Sequence, residues 1–158
     1  MTSDPRAQFT KHAAAIEAWM LPLFQKAPHL PQNARQTVVD VAPWLALIGG
    51  VLGLAAVFSA SAFTSMLFTF SFFRYGIFPL LYVVSMLCVF AAALLELMAY
   101  QPLTQRRKAG WNFMFYALLI NVVSFVLSIF AGYGNGGHII GLLVGFWLLF
   151  EVRDAYKA

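Results

Sequence analysis

Residues 111–131 read WNFMFYALLINVVSFVLSIFA, a run without one charged side chain. As an ideal helix it is about 31 Å long, close to the roughly 30 Å of hydrocarbon in a bilayer. A helix apolar on every side is either the centre of a large protein or a membrane span. A chain of 158 residues is too short for the first. Three polar residues of the run, Asn121, Ser124 and Ser128, recur at intervals of three and four and so share one helical face near mid-bilayer. That face points into a bundle, either to make interhelical hydrogen bonds of about 0.6 kcal/mol each or to line a transport path. Ser85 on the preceding apolar run is a candidate partner.

On the N-terminal side, residues 101–110 hold Pro102 and the basic run Arg106, Arg107, Lys108, preceded by a second span over residues 77–100 with Pro79 in its opening turn. On the C-terminal side, the uncharged, glycine-rich residues 132–137 form a tight turn. Residues 138–152 then give a fourth span of only about 22 Å, which requires local thinning of the bilayer or shielding by neighbours. The first span is expected over residues 41–60, with Asp40 as its cap, Pro43 in its first turn and Trp44 at the interface. Residues 61–73, rich in phenylalanine, are too short to cross alone and read as a bent extension of the first helix or as an interfacial helix.

At the N-terminus, Phe9, Ala13, Ile16 and Met20 are spaced by four, three and four, with Gln8, Lys11, Glu17 and Gln25 opposite. This is an amphipathic helix, lying in the membrane interface or packed on the protein's own cytoplasmic face. Pro28 and Pro31 end it in a loop. The fold expected is therefore all-α: a membrane bundle of about four transmembrane helices over residues 41–152, preceded by a cytoplasmic helix and loop over 1–40 and followed by a polar tail over 153–158.

The composition agrees, with 61% hydrophobic and 10% charged residues against about a quarter charged in soluble domains. The net charge of +4 comes from scattered Lys and Arg, not from one patch, which argues against nucleic acid. Nine basic residues (Arg6, Lys11, Lys26, Arg35, Arg106, Arg107, Lys108, Arg153, Lys157) fall on one side of this topology and only Arg74 on the other. Both termini and the Arg106 loop are thus expected in the cytoplasm. The early charges, from Asp4 to Arg35, leave no compact apolar leader, so the mature chain is expected to begin near Met1.

Glu96 is the most costly residue within the spans. Lying one turn from the inner end, it either reaches the headgroups or pairs with Arg106, Arg107 or Lys108, or it serves as a proton or ion site together with Asn121, Ser124 and Ser128. Small residues recur every fourth position at Ala42, Ala46 and Gly50, flanked by Gly49 and Gly53, and again at Gly137, Gly141 and Gly145. Such faces let helices approach closely within one chain or between subunits. His138 has no second histidine on its side of the membrane to complete a metal site. Cys88 lies among apolar neighbours and lacks a partner for a disulfide. The glycines at 132–137 lack the lysine and hydroxyl of a phosphate loop. No nucleophile, base and orienter come together, so no catalytic residue, cofactor or metal is expected.

The segment Ala27-Pro28-His29-Leu30-Pro31 through Ala42-Pro43-Trp44-Leu45-Ala46-Leu47-Ile48 resembles a stretch of small bacterial inner-membrane proteins with several spans. The resemblance implies a bacterial inner-membrane location and carries no site residue. Three readings of function follow. The leading one is a non-enzymatic membrane protein acting by lateral association, as a homo-oligomer or an accessory subunit. The second is a small oligomeric transporter or channel component using Glu96 and the Asn121/Ser124 face. The third is a surface adaptor that holds anionic membrane lipid or a partner through Arg106, Arg107 and Lys108.

Overall fold

The computed structural model describes the backbone of residues 5–75, 78–131 and 136–157, with side chains over 11–59, 80–131 and 136–157. Five helices follow in order: α1 (Pro5–Phe24), α2 (Gln32–Tyr75), α3 (Phe78–Thr104), α4 (Lys108–Phe130) and α5 (Gly136–Glu151). A single 3-10 turn, Arg153–Ala155, follows. Among the described residues the only β-type pairing is an isolated bridge between Arg107 and Lys157. The all-α expectation holds.

Among the described residues three helical segments are long and apolar enough to cross a membrane: Gln32–Ser59, Leu80–Thr104 and Lys108–Phe130. In their most apolar windows only 17%, 17% and 22% of residues are buried within the protein. Side chains this apolar and this exposed need a lipid environment, and the protein is an integral membrane protein. α5 is equally apolar but has 16 residues, about 24 Å as an ideal helix.

The first of these helices departs from its expected bounds. α2 starts at Gln32, not near Val41, and Asp40 lies within it rather than capping it. Nothing between Gln32 and Val39 breaks a helix, and local bonds reinforce it: Gln36 Nε2 donates to Asp40 Oδ1 at 2.9 Å, and Thr37 Oγ1 to the Asn33 carbonyl at 3.0 Å. Pro43 removes one backbone donor in the interior. It is tolerated because it lies on the face where Val39 and Ala46 are also buried. The helical backbone then continues to Tyr75, so residues 61–73 extend the first helix, while their side chains lie outside the described residues.

α3 is the central element, packed along α4 on one side and α2 on the other; α5 rests on α4, and α1 on α5. The core gathers at one end, where Leu103, Trp111, Phe115, Phe146 and Phe150 meet Ala13 of α1. Trp111 is 0% exposed, and its indole donates to the Leu149 carbonyl at 2.8 Å. α1 turns Ala13, Met20, Leu21 and Phe24 toward this core, with the Phe24 ring stacked 4.9 Å from Phe150. Glu17, expected on the outer polar side, also turns inward.

The α3–α4 connection shows how local chemistry sets this geometry. Arg107 N donates to Pro102 O and Arg106 N to Leu103 O, both at 2.9 Å. Together with the left-handed φ of 52° at Arg106, these bonds form a Schellman cap that ends α3. α4 then passes so close to α3 that a Cβ on Gly110 would lie 2.6 Å from Leu103 N.

Candidate functional site

The intramembrane polar residues are distributed over two contacts. Between α3 and α4, Ser85 Oγ and Ser124 Oγ lie 2.8 Å apart, and each hydroxyl also lies 3.2 Å from the other residue's carbonyl oxygen. The two side chains satisfy one another, and both are buried. Ser128 Oγ donates to the Phe125 carbonyl at 2.7 Å within α4. Asn121 is half-buried one turn away on the same helix.

Glu96 faces α2. Its Oε2 would lie 2.8 Å from a Cβ on Gly49, so the missing side chain of Gly49 makes room for the carboxylate. Glu96 and Ser85 are eleven positions apart on α3, about 16 Å along the axis, so the carboxylate and the serine pair do not share a site. Pairing of Glu96 with the α3–α4 loop is not what the structure contains: Arg106 Nη2 pairs with Asp40 at 2.9 Å and Lys108 Nζ with Glu17 at 3.5 Å. Among the basic residues expected at the surface, Lys108 is drawn inward, its ammonium 3.8 Å from the Trp111 ring centroid. Arg107 is exposed.

The two small-residue faces differ in use. A Cβ on Gly50 would meet the Leu97 side chain at 2.7 Å and the Ala93 carbonyl at 2.9 Å, and one on Gly53 would meet Ala93 Cβ at 3.0 Å. The α2 face is therefore filled by α3. On α5, Gly145 approaches Leu118 in the same way, at 3.0 Å, but Gly141 has nothing within 4 Å and Gly137 is exposed. His138 lies against Phe125, ring centroids 5.1 Å apart.

The densest polar cluster was not legible in the sequence. Glu151, the last residue of α5, has a side chain 3% exposed. It accepts hydrogen bonds from His29 Nδ1 at 3.0 Å, Leu30 N at 3.1 Å, and Arg35 Nε and Nη2 at 3.2 and 2.8 Å. Trp147 Nε1 adds a bond to the Pro28 carbonyl at 3.2 Å. A carboxylate at a helix C-terminus opposes the helix dipole, and these donors offset that cost. They also tie the proline loop and the start of α2 to the end of α5. A second cluster ties α1 down: Arg153 Nε donates to Glu17 Oε1 at 2.7 Å, beside Lys108. The signal available in sequence was weak, an acid closing an apolar run and a His and an Arg around two prolines.

Tyr156 is buried and its hydroxyl has no hydrogen-bond partner among the described residues. Burial pushes its phenol up to about 12, with Arg106 pulling it down and Asp40 pushing it up to lesser extents. Three cavities adjoin these clusters. One of about 220 Å³ lies under α1 between Glu17, Lys108, Asn112 and Phe115, and one of about 100 Å³ beside Glu151, His29 and Arg35. The third, about 160 Å³ and wholly apolar in its exposed lining, lies between α2 and α5. Among the described residues no three His, Cys, Asp or Glu side chains converge to hold a metal. Comparison of the chain with protein-family models, with curated proteins and with solved structures finds no match, so function has to be argued from these contacts.

Proposed function

We propose that the chain is a non-enzymatic, four-span protein of the bacterial inner membrane that acts by lateral association, as a homo-oligomer or as an accessory subunit of a membrane complex. The observation that carries this reading is the unequal use of the two glycine faces. The Gly49/Gly50/Gly53 face is filled by α3, whereas Gly137 and Gly141 open outward beside the exposed Ile140, Leu143 and Val144. In a bilayer a helix gains association energy from close packing at such small residues, and α5 presents them unoccupied.

α5 as the fourth crossing accords with the basic residues. Arg35 meets Glu151, Arg106 meets Asp40, and Lys108 and Arg153 meet Glu17, so all three basic segments gather at one end of the bundle. An even number of crossings puts both termini on one side, and the excess of Lys and Arg at that end favours the cytoplasm. α1 lies along this end with Ile16, Trp19 and Leu23 exposed. That stripe, with Trp19 70% exposed, suits insertion at the headgroup level while the opposite face stays on the core.

The test is the mass and protein composition of the complex extracted in mild detergent. A homo-oligomer, or a second protein at fixed ratio, is the expected result; a monomer without protein partners overturns it. A transport role rests on Glu96, which pairs with no cation among the described residues. The mutual satisfaction of Ser85 and Ser124 weighs against a polar path through that helix face. Liposome flux abolished by Glu96→Gln would favour transport; wild-type inactivity across ions would remove it.

A further inference from the structure

α2 and α5 flank the α3–α4 pair and make little contact with each other. They are joined at one end by Glu151 and Arg35 and leave between them the apolar cleft of about 160 Å³. Val38 and Leu45 of α2 form one wall, Leu148 of α5 the other, and Met114 and Leu118 of α4 the floor. Tyr156 and Leu103 line the same cleft and belong to its charged end. There the backbone of Lys157 is bonded to the α3–α4 loop, Lys108 N donating to Lys157 O at 2.8 Å and Lys157 N to Arg106 O at 3.2 Å. Arg106 and Asp40 lie close to the Tyr156 phenol at this end, and the backbone bridge between Arg107 and Lys157 adjoins it. Arg106 and Asp40 neutralise one another, and Arg107 and Lys157 are exposed and carry two positive charges.

We propose that this cleft binds one anionic phospholipid, with an acyl chain between α2 and α5 and the phosphate at Arg107 and Lys157. Size and charge together select this occupant. A cavity of about 150 Å³ lined by apolar side chains takes a molecule such as benzene, whereas a helix with its side chains is about 10 Å across. A stretch of an acyl chain with about as many carbons as benzene fits the space; a partner helix does not enter it. Water finds no polar partner along these walls. At the basic end, each Lys or Arg near an anionic headgroup adds attraction that a zwitterionic lipid does not receive in full. The inference rests on the membrane placement of the chain and is independent of whether it self-associates.

The experiment has two arms. In the first, purified wild-type protein is reconstituted with phosphatidylglycerol carrying a photoreactive acyl chain, irradiated and digested. Labelling concentrated on Met114, Leu118 and Leu148 is expected. Labelling confined to outward residues such as Leu52 and Ile140 overturns the proposal, because it reports annular lipid alone. In the second, native mass spectrometry counts lipids retained per chain from phosphatidylglycerol or phosphatidylcholine. One retained phosphatidylglycerol is expected, with at least tenfold preference over phosphatidylcholine. Ala42→Phe, which fills the cleft, should remove it, and Arg107→Glu with Lys157→Glu should abolish the preference. Equal retention of both lipids by wild type, or undiminished retention by Ala42→Phe, overturns the proposal. So does a co-purifying protein that crosslinks into the cleft. A monomeric protein that still retains its lipid would refute the association reading and leave this one standing.

Discussion

At the scale of single residues, Glu151 and Arg35 form a pair whose two halves are unequally placed. The Glu151 side chain is 3% exposed and that of Arg35 38%. Removing Arg35 leaves a carboxylate in the interior with fewer donors, while removing the charge on Glu151 lets the guanidinium turn to water. Arg35→Ala is therefore expected to cost about 1.5–3 kcal/mol, and Glu151→Gln, which keeps an acceptor for Arg35 and Leu30 N, about 1 kcal/mol. Thermal unfolding in mild detergent checks the order; a larger loss from Glu151→Gln would contradict it. Tyr156 presents the opposite case, a buried hydroxyl without a partner among the described residues. Tyr156→Phe removes an unsatisfied group and should be neutral or stabilising. The phenol's pKa is raised in the folded state, from 10.0 to about 12. Its contribution is thus complete below pH 10 and lost as pH rises toward 12. Denaturation followed over that window should show a fall in wild-type stability that is smaller in Tyr156→Phe.

At the scale of elements, glycine positions decide which helices touch. At Gly110 an added Cβ would lie 2.6 Å from Leu103 N and 2.9 Å from the Pro102 carbonyl carbon. Both are backbone atoms that cannot step aside. Gly110→Ala should therefore cost about 1–3 kcal/mol by forcing α3 and α4 apart. Gly141 has open space around it, so Gly141→Leu should leave the monomer's stability and helicity unchanged while reducing self-association or subunit binding. Size-exclusion mass analysis beside circular dichroism separates the two effects. An unaltered complex would mean that the α5 face is not the contact. The helices themselves were largely legible: the apolar runs at 77–100 and 111–131 became α3 and α4 within a few residues, and Ser85, a candidate partner of the polar face, meets Ser124. The start of α2 was not, because Asp40 and Pro43 carry the local signature of a helix opening, whereas the Gln36–Asp40 and Thr37–Asn33 bonds and the packing of Val39 and Ala46 carry the helix through them.

At the scale of the whole molecule, the number of crossings decides which charged residues share a side of the membrane. If α5 crosses, Lys11, Arg107 and Lys157 share one side of the membrane. Cysteine substitutions at these three positions in a Cys88→Ala background should all react with an impermeant maleimide from the cytoplasmic face. Reaction of the Lys11→Cys and Lys157→Cys chains from opposite faces would mean an odd number of crossings and confine α5 to one leaflet.

Composition and local periodicity were sufficient for the membrane placement and the helical class, because the cost of exposing backbone and charge to hydrocarbon is set within each segment and is read along a single run of residues. The ionic contacts at the basic end were set by the tertiary structure alone. Glu151 meets His29 across 122 positions and Arg35 across 116, and Glu17 meets Arg153 across 136. Charge pairing depends on distance in space and carries no periodic mark along the chain. The sequence could therefore present Glu96 as the costly acid and Lys108 as a surface cation. Once α1 and α5 had packed at one end, the fold made Glu151 the buried acid with most donors and turned Lys108 inward.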